Sequence, residues 1–383
     1  MKKKILCLTF LLLLLLLFSG CEQAQNITAT GKKLRIGIIG PFSGTFAAQG
    51  KNGYEGLQSA QKIQPLLNNG TALEFLIEDD QDEPTLTIAA LRKLAETEKV
   101  AAILVFSGSA SVLAIEPFAD RYKTPIMVVL ATHPEISKRS KYVTQICIDD
   151  IFQGLVASLF VRDELLIEKT AIIVNPDNPY SIRLATEFRK GFVAAGGLIT
   201  ETIKMSDDVD DLSALMENLR IKDTQLLYMP IKAKSLFNII KANQEIKWHP
   251  KMMSGDGLLA SAMGEFHDDL GLLNGLMATD FYGDKITTTD YARRLQKSYA
   301  SLFNHPATTY SALGAETYDI LCNTLNRCQE PGNRQEINEK LRQTTDFKGI
   351  AGNISITASG KVKRAIFVDT IKNGRLKEIV KVY

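Results

Sequence analysis

Histidine is scarce in this chain of 383 residues. His133, His249, His267 and His305 are the only four, and none stands at metal-ligand spacing from another. No H-E-x-x-H, C-x-x-C or P-loop occurs, so the sequence offers no catalytic zinc site, dithiol couple or phosphate cradle. Gly40-Pro41-Phe42-Ser43-Gly44 lacks the order of a G-x-S-x-G nucleophile elbow. Lys/Arg-rich blocks are missing as well, which removes the electrostatic footprint of a nucleic-acid binder. No metal, cofactor or nucleic-acid partner is expected.

Long apolar runs are equally rare. One stands out: Ile5 to Phe18, preceded by Lys2, Lys3 and Lys4 and followed by Ser19-Gly20-Cys21. A basic start, a short apolar stretch and small residues before a cut describe a secretory signal peptide over residues 1–20. The run is too short to favour a stable membrane span. Phe18-Ser19-Gly20-Cys21 resembles the lipobox of bacterial lipoproteins, with Phe18 where Leu is preferred, and this resemblance implies lipid attachment at Cys21. Five cysteines then shrink to three, Cys147, Cys322 and Cys328, an odd set that cannot be fully paired within one chain. Cys322 and Cys328 could bridge or stay as thiols. Basic side chains number 45 against 43 acidic, and losing the three leader lysines brings the balance to −1. The remaining chain is long enough for two substantial cores.

Residues 21–32 are polar and aperiodic, a tether. An alternation of short β-rich runs and amphipathic segments follows. Leu34–Gly40, Leu73–Asp79, Ala101–Phe106 and Ile126–Leu130 read as strands, with helices over Asn52–Leu67, Leu86–Glu98 and from Val112. The pattern restarts after a break near Asp149-Asp150. Thr170–Val174, Gln225–Met229, Lys251–Met253 and Gly275–Thr279 read as strands, with helices over Ile182–Ala195 and Ser235–Asn243. Asn373-Gly374 between two apolar runs predicts a C-terminal hairpin. Strands alternating with helices imply parallel sheets covered on both faces, an α/β fold of two doubly wound lobes.

In such sheets ligands sit beyond the carboxyl ends of strands. Four strand ends carry suitable groups. Ser107-Gly108-Ser109 opens a helix, where free amides and the dipole favour an anion, although Ser109 can equally serve as its own helix's cap. Leu130-Ala131-Thr132 adds a hydroxyl beside it. Asn178-Pro179-Tyr180 delivers an aromatic ring, and Ser254-Gly255-Asp256 a carboxylate. Together they supply what a zwitterion needs.

These residues carry a family resemblance. The G-P-x-S-G of Gly40–Gly44, the partly met Gly-spaced helix start of Gly53–Ala60, Pro117 to Pro125-Ile126, Ala131-Thr132-x-Pro134-Glu135, Pro306–Asp319 and Gly349-x-x-Gly352-Asn-Ile-Ser-Ile follow in order along nearly the whole chain. In this it resembles the type I periplasmic binding proteins of the leucine/isoleucine/valine-binding class. The resemblance implies two Rossmann-like lobes joined by a hinge of three crossings. It places residues 33–149 with 281–350 in the first lobe, and 151–280 with 351–383 in the second. It implies that Ser109 and Thr132 hold a ligand carboxylate with help from the Leu130 backbone, that Tyr180 covers the ligand, and that Asp256 takes its ammonium. Three positions depart from the class: Gln49 stands where an aromatic is common, Ile231-Lys232 where a tyrosine is usual, and Leu130 is bulkier than the small residue usual there. Lys232 is then either a counter-ion for a second acid on the ligand or a solvated side chain.

The function implied is capture of a small amino-acid-like or other polar carboxylate solute by lobe closure, outside the cytoplasm, and delivery to an ABC permease. The protein would be lipid-anchored to the bacterial envelope, and Glu22 after the cysteine favours an outer membrane where there are two. It is read as no enzyme. A sensory envelope lipoprotein on the same fold is the alternative, and a hydrolase using His133 an outside one.

Overall fold

The computed structural model describes residues 27–206, 212–283 and 289–382. The leader, Cys21 and the first part of the tether therefore lie outside the described residues.

The chain opens on β1 (Lys33–Gly40), α1 (Ala47–Ile63), β2 (Ala72–Asp79) and α2 (Pro84–Arg92), which continues through a wider turn at Lys93–Thr97. Then come β3 (Ile103–Val105), α3 (Ser109–Tyr122), β4 (Ile126–Val128) and β5 (Val143–Gln145). The five strands form one parallel sheet in the order β2-β1-β3-β4-β5. Its central strands are apolar on both faces because helices cover both sides: Ile36, Ile38, Ile39, Ile103, Leu104, Val105, Ile126 and Val128 are fully buried.

The second half repeats this plan. After α4 (Asp150–Leu159) come β6 (Lys169–Val174), α5 (Pro179–Ala194), β7 (Leu198–Lys204), α6 (Leu212–Ile221), β8 (Leu226–Tyr228), α7 (Ala233–Glu245), β9 (Lys251–Ser254), α8 (Leu258–Glu265) and β10 (Leu276–Asp280). These five strands again order as second-first-third-fourth-fifth, all parallel. The chain then runs through α9 (Asp290–Leu302), α10 (Thr309–Asn326) and α11 (Arg334–Arg342) into a small antiparallel sheet of β11 (Phe347–Lys348), β12 (Asn353–Ile356) and β13 (Val362–Lys363). Finally β14 (Ile366–Lys372) and β15 (Arg375–Val382) add antiparallel to the β10 edge of the second sheet.

The C-terminal hairpin turns where Asn373 and Gly374 both take left-handed φ of 52° and 68°, the requirement of the tight turn that the Asn-Gly pair signals. Several elements had no clear signal. β5 is three residues long, two of them polar, and β7 is an edge strand of mixed character, so neither carries an apolar run. The apparent break at Asp149-Asp150 is a helix start: Asp149 Oδ1 accepts from the amides of Ile151 (3.1 Å) and Phe152 (3.3 Å) as the N-cap of α4.

The small sheet leans on the first lobe. Gln145 N donates to the Gly360 carbonyl at 2.8 Å and Lys361 Nζ to Pro134 O at 2.9 Å, while Arg342 of α11 bridges the two, with Nη2 on Val143 O at 2.9 Å and Nη1 on Ala358 O at 2.6 Å. Helix α10 packs against α1 of the first lobe, yet its Tyr310 hydroxyl donates to Gly257 O of the second at 3.0 Å. The lobes also meet at the cleft mouth, where the Lys232 ammonium lies 5.4 Å from the centre of the Phe46 ring.

Candidate functional site

Each strand of the two matched sheets delivers its exit loop to the facing edge, and the candidate residues follow from that. β9 ends at Ser254, whose hydroxyl donates to Met229 O at 2.6 Å, and the next two residues bring Asp256 into the cleft. Asp256 Oδ1 accepts from Tyr180 OH (3.0 Å) and Gln153 Nε2 (2.8 Å). Gln153 is held in turn: its Oε1 accepts from Asp256 N (2.9 Å) and Thr279 Oγ1 (2.6 Å). The Asp256 carboxylate is thus oriented by a buried amide and a phenol, and its second oxygen has no protein donor among the described residues. Burial is the largest influence on this carboxyl and raises it to about 6, against the pull of the Gln153 and Tyr180 bonds.

On the opposite lobe, Leu130 and Thr132 leave β4 almost wholly buried. Asp150 N donates to Thr132 O at 2.9 Å, which sets the two side chains beside one another. Thr132 Oγ1 and both Asp150 carboxylate oxygens are buried without a hydrogen-bond partner. Burial pushes the Asp150 carboxyl well above the usual range; the Thr132 hydroxyl nearby, outside hydrogen-bonding geometry, opposes this, and the Asp256 charge adds to it. Tyr228, at the end of β8, completes the group: its ring stacks on Phe188 at 3.7 Å while its buried hydroxyl also lacks a partner. Orphaned polar atoms cost free energy unless something pairs with them, so this cluster, where the two lobes meet, is a candidate place for a polar guest.

The helix start at Ser109 differs from the free anion cradle that the sequence suggests. Gly108 N donates to Asp82 Oδ1 at 2.7 Å, so one of the available amides is already taken by a carboxylate of the chain. Gln81 and Asp82 both adopt left-handed φ, 53° and 60°, in the loop that carries this acid across. Ser109 itself is buried at the first turn of α3, which borders α5 of the second lobe.

Of the residues singled out from sequence, Tyr180 and Asp256 are brought into direct contact, and Thr132 lies in the same electrostatic neighbourhood through Asp150. Lys232 is half-buried and meets the Phe46 ring. Asp150, Gln153, Tyr228 and Phe46 were not anticipated. Asp150 and Gln153 stand three apart on one helix, but that helix follows a strand with no apolar signature, so nothing marked them as strand-end residues. The thiols of Cys147, Cys322 and Cys328 are all free. Cys147 donates to Ala131 O at 3.0 Å beneath the site.

Asp256 at about 6 and Asp280 at about 7 both bind protons more tightly in the folded chain than a free carboxyl does. The ligand-free protein should therefore gain stability as pH falls from about 7.5 towards 5, because the folded form takes up protons that the unfolded form still releases. Thermal melts at constant ionic strength check this, and a midpoint that drops over that interval would contradict the raised carboxyls.

The match to known proteins runs along the same frame. The family model described as periplasmic binding protein matches residues 33–375. Leu/Ile/Val-binding protein homolog 1 of Brucella suis is 24% identical over 353 residues, 91% of this chain and 93% of that protein. Homolog 6 from the same organism is 23% identical over 294 residues, covering 74% and 73%. Among solved structures, the leucine binding protein LivK of Thermotoga maritima superposes with a TM-score of 0.83 at 25% identity, over 91% of this chain and 98% of that one. A solute binding protein of an ABC transporter from Rhodopseudomonas palustris, solved with 3,4-dihydroxybenzoic acid, gives 0.79 at 19% identity, covering 91% and 97%. These relatives are solute-binding proteins, and the family places its members outside the cytoplasm; among the described residues no helix is long and apolar enough to cross a membrane. The chain belongs to the periplasmic binding protein family, as a type I solute receptor of the leucine/isoleucine/valine-binding class.

Proposed function

We propose that this receptor captures a zwitterionic amino acid between its lobes and hands it to an ABC importer from a lipid anchor at Cys21. The observation that carries the ligand class is the convergence of two acids, Asp256 after β9 and the unpartnered Asp150 at the start of α4, where the chain crosses beside Thr132 of the first lobe. An α-ammonium satisfies both at once. A ligand carboxylate then falls to the Thr132 hydroxyl, the Leu130 backbone and Ser109, with Tyr180 as the wall. Lys232 and Phe46 close the mouth, and Gln49 is a candidate for specificity one turn further along α1. In this reading the first lobe is 33–149 with 281–363, the last crossing moved from near 350 to Arg364 because the small sheet bonds to the first lobe.

Closure would follow from differential affinity: a ligand bridging both lobes stabilises the closed arrangement over the open one. Structural relatives have been solved with isoleucine and with hydroxybenzoates, which differ in the ammonium. A benzoate brings a carboxylate but leaves the acids of this cleft unpaired, which disfavours it.

Calorimetry of the purified protein against L-amino acids, dipeptides and hydroxybenzoates tests this. Amino acids should bind and benzoates should not; the reverse ranking would reject the site. Ligand recovered chemically unchanged after saturation would also dispose of a hydrolase. Thr132→Ala should weaken amino-acid binding roughly tenfold, the worth of one hydrogen bond to a charged group.

A further inference from the structure

A buried ion pair lies away from the ligand groups, at the place where the lobes are joined. Arg364 and Glu316 approach to 2.8 Å with their side chains 3% and 1% exposed. Arg364 lies in the third crossing, between β13 and β14. Its Nη1 donates to Ile146 O in the first crossing and its Nη2 to Phe281 O in the second, each at 3.5 Å. The guanidinium also sits 5.7 Å from the centre of the Phe281 ring. Glu316 belongs to α10, and its Oε1 accepts from Ile350 N at 2.6 Å. One guanidinium thus touches all three connections while its counter-ion is rooted in the first lobe.

We propose that Arg364 and Glu316 form a charge clamp inside the hinge that sets the resting balance between open and closed arrangements without touching the ligand. This rests on the reading of the protein as a closing two-lobe receptor. Lys232 of the second lobe reaches the Phe46 ring of the first in the described arrangement, which we take as the closed one. In it the planar fork reaches carbonyls of both other crossings at the limit of hydrogen-bond length. Rotating the lobes apart turns those two carbonyls relative to each other, and a rigid fork cannot follow both. The clamp therefore favours closure, and a lysine, with one point charge and no fork, would do so less.

The test compares Arg364→Lys with the double variant Arg364→Met/Glu316→Gln, which removes both charges so that neither is left buried alone. Small-angle X-ray scattering of the ligand-free protein reads the lobe balance, and calorimetry with L-leucine as probe reads affinity. The double variant should show a larger radius of gyration and a Kd raised roughly tenfold, with the ranking among amino acids unchanged and Arg364→Lys intermediate. Unchanged scattering and unchanged affinity in a cooperatively melting double variant would overturn the clamp. So would a changed ligand ranking, since that places the pair in the binding surface. Should the double variant fail to fold, Arg364→Lys decides by the same two readings. If the parent protein binds neither L-leucine nor any other L-amino acid of the panel, the ligand assignment fails while scattering still decides the clamp.

Discussion

Asp256→Asn lowers affinity for an amino-acid ligand by at least tenfold, and by more at pH 7.5 than at pH 5. The substitution keeps the shape of the side chain, so Gln153 and Tyr180 can still hold it, but it removes the charge that meets the ammonium. A charge-assisted hydrogen bond of this kind contributes roughly 1.5–3 kcal/mol, which corresponds to about a ten- to hundredfold change in Kd. The pH dependence follows from the carboxyl's position at about 6 in the free protein. Below that, the site holds a proton that a cationic ligand must displace, so binding releases protons and affinity rises with pH through this range. The variant has no such proton and should lose that part of the slope. Titration calorimetry of both proteins in two buffers of different ionisation enthalpy measures affinity and proton release together. Equal affinities and equal proton release would mean that Asp256 does not face the ligand.

Gly56→Leu should cost about 3 kcal/mol or more and leave little folded protein at 37 °C. Helices α1 and α10 pack so closely that a Cβ on Gly56 falls 1.8 Å from the Ser311 carbonyl oxygen, and one on Gly314 falls 1.9 Å from that of Gly53. These are collisions with backbone, which no rotamer change relieves. Gly50 is similarly confined, its Cβ position lying 2.1 Å from Pro41 O. The only response open to the helices is to separate, which strips packing from the first lobe's core. Gly264→Ala in α8 supplies the contrast, since nothing lies within 4 Å of its Cβ position, and it should be neutral or slightly stabilising. Thermal unfolding of the two variants beside the parent decides the matter. A Gly56→Leu protein melting within a degree or two of the parent would show that the helices can part at little cost.

The doubly wound character of both halves, the hairpin at Asn373-Gly374 and the family were all legible in the order of residues. Each rests on a local signal: an apolar run buried on both faces, a pair of residues suited to left-handed backbone, or a motif in its proper sequence. The two partners of the Tyr180–Asp256 contact could be singled out for a related reason, because each lies in the segment that follows a strand. Asp150, Gln153 and Tyr228 were not. Their importance arises from residues distant in the chain, such as Asp256 and Thr279 for Gln153, and a single-residue signal cannot encode who the partner is. Likewise Arg364 reads as one more basic side chain until folding brings Ile146, Phe281 and Glu316 around it. Local propensity and patterning are properties of neighbours in sequence, whereas burial, orphaned hydrogen bonds and shifted protonation arise only when the two lobes come together and exclude water between them.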